Sequence, residues 1–140
     1  GYPYKHAKDI LDPEYSKKVP ENVDDFIDPI LELGAHVAPT GLSFYDGDMF
    51  PSKFKNTLFM TLHGSWNRSR KVGYKVIAVH FDEKGELLYQ KDFITGWLQK
   101  KDGRELVLGR PAAVLQKSDG SILISDDGAN IIYKVTYQKT

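Results

Sequence analysis

The chain of 140 residues contains no cysteine. That excludes disulfides, thiolate nucleophiles and cysteine-bound zinc, and it leaves the compartment undetermined by redox chemistry. A surplus of one charge is also missing, since 19 Lys and Arg balance 19 Asp and Glu. Nucleic-acid binding draws on a basic surplus, so no nucleic-acid partner is expected. No apolar run approaches the ~18 residues of a membrane-spanning helix. Long helical periodicity is lacking as well, because Pro3, Pro13, Pro20 and Pro29 interrupt the first 33 residues. There is no signal-peptide pattern, and an opening Gly1-Tyr2-Pro3-Tyr4 without Met is expected of a processed or truncated piece. What remains is 41% hydrophobic and 27% charged residues, a balance that supports one folded domain with a core.

Residues 1–33 read as a long loop segment. Tyr2, Tyr4 and Tyr15 are expected to pin it down, and a helical turn is expected near Val23–Ile27. The acids Glu21, Asp24, Asp25, Asp28 and Glu32 read as a solvated face in preference to a cation site. From Gly34 the pattern changes to strands. Leu42–Tyr45 leads into the turn Asp46-Gly47, and Phe50-Pro51-Ser52-Lys53-Phe54 reads as one helical turn. Strands follow at Thr57–Leu62, Tyr74–Phe81 and Glu86–Ile94, the last more polar and so nearer the outside. Residues 98–109 are expected to form a polar linker. A second series then runs through Ala112–Gln116, Ile122–Ile124 and Ile131–Tyr137, with turns at Ser118-Asp119-Gly120 and at 126–130.

The two series share a layout: an entry with Pro (Ala38-Pro39; Arg110-Pro111), an apolar strand, an Asp-Gly turn, a very apolar strand, a polar loop and a closing strand. Repeated four-stranded meanders point to an all-β fold of β-propeller type. Residues 34–97 make one four-stranded blade and 109–140 a three-stranded final blade. Closure takes about four blades or more, so two blades leave apolar faces and strand edges for the rest of a ring or for a partner.

Between two of the strands stands Thr61-Leu62-His63-Gly64-Ser65-Trp66-Asn67-Arg68-Ser69, a polar loop carrying His, Trp, Asn and Arg. Binding residues concentrate on such loops, and an ordinary hairpin loop is the plainer alternative. Asn67-Arg68-Ser69 also has the glycosylation pattern, which matters only in a eukaryotic secretory setting.

Five stretches in order, Gly1-Tyr2-Pro3-Tyr4, Gly34-Ala35-His36-Val37-Ala38-Pro39, His63–Arg68, Gly109-Arg110-Pro111 and Ser125-Asp126-Asp127, resemble the C-terminal part of the pyrroloquinoline quinone (PQQ) dependent sugar dehydrogenases, in the sorbosone and pyranose dehydrogenase branch. Tyr2 departs from the Trp usual there. The resemblance implies a six-bladed propeller of which this chain supplies about the last two blades. It also implies PQQ with calcium, oxidation of a sugar hydroxyl (sorbosone, aldose or pyranose) by hydride transfer to the quinone, an electron acceptor such as a cytochrome or quinone, and a periplasmic or secreted parent. The family's histidine base and calcium ligands fall upstream, so no catalytic residue and no metal ligand is expected here, and the fragment alone is expected to be inactive. The positions implied to face the cofactor are His36, His63, Arg68 and Arg110, with Trp66 as a sugar platform. Against these stand plainer roles: Arg110 pairing with Asp127, Trp66 as a packing lid, and Asp126-Asp127 as an ordinary turn, the reading preferred to a calcium pair. His80 and Trp97 read as structural. The alternatives in function are a calcium-dependent propeller lactonase and a non-catalytic carbohydrate- or protein-binding propeller.

Overall fold

The computed structural model describes residues 1–8, 10–21 and 26–138. The chain divides into two compact units, Gly1–Leu33 and Gly34–Thr140. The first unit is not purely loop. Strands β1 (Lys5–His6) and β2 (Ile10–Leu11) pair antiparallel, and a 3-10 turn spans Ser16–Lys18. Asp12 organises the bend between them. One carboxylate oxygen accepts the backbone N–H groups of Glu14 and Tyr15, and the other meets His6 Nε2 at 2.6 Å. Of the three tyrosines, Tyr4 stacks on Phe26, while Tyr2 is 84% exposed with its ring near His6, and Tyr15 is also exposed with Lys18 over its ring. The helical turn expected near Val23–Ile27 falls largely outside the described residues.

The second unit is all-β among its described residues apart from one 3-10 turn at Ser52–Phe54, which starts behind Pro51. Strands β3 (Pro39–Tyr45), β4 (Thr57–Leu62), β5 (Lys75–Phe81) and β6 (Leu87–Ile94) form an antiparallel meander in the order β3-β4-β5-β6. The alternation of side chains explains its burial. Thr57, Phe59 and Thr61 are buried on one face of β4, while Leu58 and Met60 on the other are half-buried. In β6, residues 88–92 are all exposed, the apolar Leu88 and Tyr89 as well as Gln90, Lys91 and Asp92.

Residues 98–109 do not form a plain linker. Strands β7 (Leu98–Lys101) and β8 (Arg104–Val107) make a hairpin, with Lys101 opposite Arg104. Its turn is Asp102-Gly103, both residues at positive φ (51° and 73°), the two-residue geometry that matches the twist of the flanking strands. Strands β9 (Pro111–Gln116), β10 (Ile122–Asp126) and β11 (Ile131–Val135) then form a three-stranded antiparallel sheet in the order β9-β10-β11.

The two larger sheets share one core. Phe59, Val76 and Ala78 from the first sheet cluster with Val114, Ile122 and Ile124 from the second, together with Tyr45, Phe50, Tyr74 and Trp97. Polar clasps fix the sheets to each other at both ends. At one end Thr61, fully buried, accepts the Gly41 N–H and donates its hydroxyl to Ala112 O at 2.9 Å, and Thr40 donates to the same carbonyl at 2.7 Å. At the other end Tyr45 donates its hydroxyl to Gly120 O, and Gln116 Oε1 accepts the Asp46 N–H. No buried side-chain nitrogen or oxygen among the described residues is left without a hydrogen bond, which is the condition for such polar clasps to stabilise a core. No helix among the described residues is long and apolar enough to cross a membrane.

Candidate functional site

Strand direction decides which loops meet. Pro39 opens β3 opposite Leu62, which closes β4, and Leu62 in turn lies opposite Lys75, which opens β5. In the second sheet Pro111 opens β9 opposite Asp126, which closes β10, and Asp126 faces Ile131, which opens β11. Because Thr40 and Thr61 tie the first group to Ala112 beside Pro111, the loops 34–38, 63–74, 109–110 and 127–130 leave at one common end.

Backbone hydrogen bonds lash these loops together. His63 donates its backbone N–H to Ala38 O and Gly64 donates to Val37 O, both at 2.9 Å. His36 and Ala38 sit at positive φ (68° and 52°), a left-handed conformation that bends the entry segment across the end of the sheet. The 63–73 loop is clamped at its base. Ser65 donates its N–H to Val72 O, Val72 donates back to Ser65 Oγ, and the buried Tyr74 hydroxyl donates to Ser65 O.

Arg110 reaches across from the second sheet to the first, donating Nε to His63 O at 3.3 Å and Nη2 to Gly64 O at 2.7 Å, with its guanidinium carbon 5.8 Å from the centre of the Tyr74 ring. Two of its five N–H donors are thereby used on backbone carbonyls. Asp127 pairs not with Arg110 but with His63, whose Nε2 lies 2.8 Å from its carboxylate. Arg68 is exposed and donates Nη1 to Ala35 O at 3.0 Å, which sets it beside His36, also exposed. Trp66 is 82% exposed, so it covers nothing. His36, His63, Arg68 and Arg110 therefore all belong to the four loops at the common end. His80 does not: it lies in β5 between Tyr89 and Phe54, hydrogen-bonded to Thr57, and burial followed by the nearby Lys91 and Lys53 charges pushes its pKa down. A groove of about 610 Å3 beside Trp97, Leu108 and Tyr133 carries none of the four.

The residue that sequence reasoning missed is Asp126. Far from an exposed turn, it is the buried last residue of β10, 2% exposed. Its carboxylate accepts the Arg110 N–H at 2.7 Å, the Ala129 N–H at 2.8 Å, the Trp97 indole N–H at 2.7 Å and, at 3.3 Å, the Tyr133 hydroxyl. Burial pushes the Asp126 carboxyl up, yet the donors from Arg110, Ala129, Trp97 and Tyr133 outweigh it and hold the pKa below the ordinary value. Gly109 is required here by space, because a Cβ would fall 2.0 Å from an Asp126 oxygen. Asp126 thus fixes the backbone from which Arg110 departs. The signal that could have found it is the pairing of Gly109, with no side chain, and a carboxylate one strand away.

Comparison with known proteins adds to this picture. An uncharacterized protein of Borreliella burgdorferi is 42% identical over 140 residues, covering 99% of this chain and 36% of that protein, so the chain spans little more than a third of that relative. The holo form of the pyranose dehydrogenase PQQ domain of Coprinopsis cinerea superposes with a TM-score of 0.63 at 24% identity, over 81% of this chain and 30% of that one. The calcium structure of a carbohydrate-active enzyme of family AA12 from Trichoderma reesei gives a TM-score of 0.62 at 21% identity, over 89% of this chain and 31% of that one. At those identities the likeness is one of fold. The family model described as TrAA12-like matches residues 13–138, nearly the whole chain, and the protein belongs to the TrAA12-like family.

Proposed function

We infer that the chain is part of a PQQ-dependent oxidoreductase acting on a sugar hydroxyl, and that it forms about the last two blades of a six-bladed propeller in a longer, secreted or periplasmic protein. One observation carries the reading: two histidines and two arginines from three loops of two sheets stand at one end of the fold in a TrAA12-like chain. PQQ bears three carboxylates, and cations backed by fixed backbone suit such a ligand. When bound, PQQ supplies a two-electron acceptor for hydride from the sugar.

The protein's own part is to hold and orient. Arg68 and His36 present exposed cationic and hydrogen-bonding groups. Arg110 braces the 63–64 backbone and keeps further N–H donors for a carboxylate. Asp127 fixes the ring of His63 through Nε2. Trp66 offers an exposed face on which a sugar ring can lie. A calcium ion does not fit the described residues: no three His, Asp or Glu side chains converge among them, and the Asp126 oxygens already accept four donors. In this reading the calcium ion and the proton-accepting base belong to the rest of the longer protein. The test is reconstitution of the full-length protein with PQQ and calcium. Dye reduction that depends on an aldose, pyranose or sorbosone supports the reading. No dye reduction and no retained cofactor absorbance would favour a binding propeller, and lactone hydrolysis without PQQ would favour the lactonase.

A further inference from the structure

The end of the first sheet away from the candidate loops carries an aromatic cleft. Strand β5 opens at Lys75 among those loops, and His80 stands five positions on, roughly 17 Å along the strand. Strand register gathers the cleft on one face. His80 lies opposite Tyr89, with ring centres 4.6 Å apart, and Ala78 lies opposite both Lys91 and Phe59. Alternation therefore turns His80, Tyr89, Lys91 and Phe59 to the same side, and Phe93 joins them with its ring 4.3 Å from that of Phe59. The 50–54 segment crosses this face, with Phe54 5.6 Å from Phe93 and 6.1 Å from His80, ring centre to ring centre. Between them is a cleft of about 440 Å3, lined also by Phe50, Lys53 and Tyr137. Space of that size suits a small molecule.

Two cations belong to the cleft. Lys53 Nζ stands 5.3 Å over the Phe54 ring and Lys91 Nζ 5.2 Å over the Tyr89 ring. Both are near His80, whose pKa is held down first by burial and then by the Lys91 and Lys53 charges. Among the described residues neither lysine has an ion pair or a hydrogen bond, whereas Lys55, Lys75 and Lys134 are paired with Asp48, Asp92 and Asp119. The acid in the cleft wall, Asp92, alternates with Lys91, and its carboxylate is taken by Lys75 at 2.6 Å. A third donor comes from His80. The buried Thr57 hydroxyl has only His80 Nδ1, at 3.1 Å, as its partner among the described residues, so it donates there and the neutral ring carries its proton on Nε2.

The geometry points to a binding site in this cleft for a small aromatic carboxylate, whose ring lies among Phe54, Tyr89 and Phe93 and whose charge is met by Lys53 and Lys91. Aromatic walls favour an aromatic ring over an aliphatic one, and ammonium groups without an acid of their own favour an anion over a neutral ligand. The site is separate from the candidate loops and does not rest on the PQQ reading.

The experiment is calorimetric titration of the full-length protein, without PQQ, with naphthoate, with the neutral naphthylmethanol and with acetate. Naphthoate is expected to bind saturably and at least tenfold more tightly than either control. Lys53→Gln with Lys91→Gln should weaken it tenfold or more with no change in melting temperature, because both side chains are exposed. Arg68→Ala should leave it unchanged. Naphthoate held at the candidate loops instead would give the opposite pattern, weakened by Arg68→Ala and indifferent to the two lysines. That pattern, naphthylmethanol binding as tightly as naphthoate, or no saturable binding would each overturn the assignment. Sugar-dependent dye reduction in the PQQ-loaded protein is read separately, so failure of this site and failure of the oxidoreductase reading give different results.

Discussion

Arg110 and Arg68 both come from the common end, but they are loaded differently. Arg110 supports two carbonyls of the neighbouring sheet's loop, whereas Arg68 is exposed and holds one. Arg110→Ala should therefore lower both PQQ affinity and stability, the latter by about 1–3 kcal/mol because part-buried carbonyls lose charged donors. Arg68→Ala should leave stability within about 0.5 kcal/mol. Urea melts of the two variants distinguish these outcomes. Asp126 is more demanding. Asp126→Ala strands the Trp97 indole and two backbone N–H groups, at a cost of about 3 kcal/mol or more. The pH dependence has a definite sign. A carboxyl with a folded pKa below its unfolded value of about 3.9 contributes stability that is full above that value and lost as pH falls through the folded one. Asp126→Asn should flatten this acid-side loss only in part, since Asp119, held low chiefly by Ser121, and Asp12, held low chiefly by His6, have the same sign.

At the scale of the element, the strands were legible because period-two alternation and Asp-Gly turns are local signals. Thr57–Leu62 was readable from its ends, as was the 3-10 turn behind Pro51. The β7–β8 hairpin was not read, although Asp102-Gly103 is a hairpin turn, because Gln99-Lys100-Lys101 shows no apolar alternation to announce a strand. In the site, the histidines and arginines were readable as residue types on loops. Which carbonyl or carboxylate each one meets was not, because His63–Asp127 and Trp97–Asp126 span 64 and 29 residues. The clasp at Thr61 was equally silent, a Thr among apolar neighbours whose hydroxyl matters only once Ala112 of the other sheet is beside it. Thr61→Val, nearly equal in shape, should destabilise the protein by about 1–3 kcal/mol by leaving the Gly41 N–H without this acceptor and Ala112 O with the Thr40 hydroxyl but not that of Thr61, while Thr61→Ser should recover most of the loss in a thermal melt.

For the whole molecule, a four-stranded and a three-stranded sheet share a core and turn their loop ends the same way. The chain covers 36% of the Borreliella relative. The proposed function requires this loop end to receive an anionic quinone. Equilibrium dialysis of PQQ against the full-length protein and its Arg68→Ala variant, at fixed calcium and with melting temperatures matched, tests it most directly. Saturable binding that weakens at least tenfold in the variant is expected. Equal affinity in the two proteins, or no saturable binding in either, would contradict it.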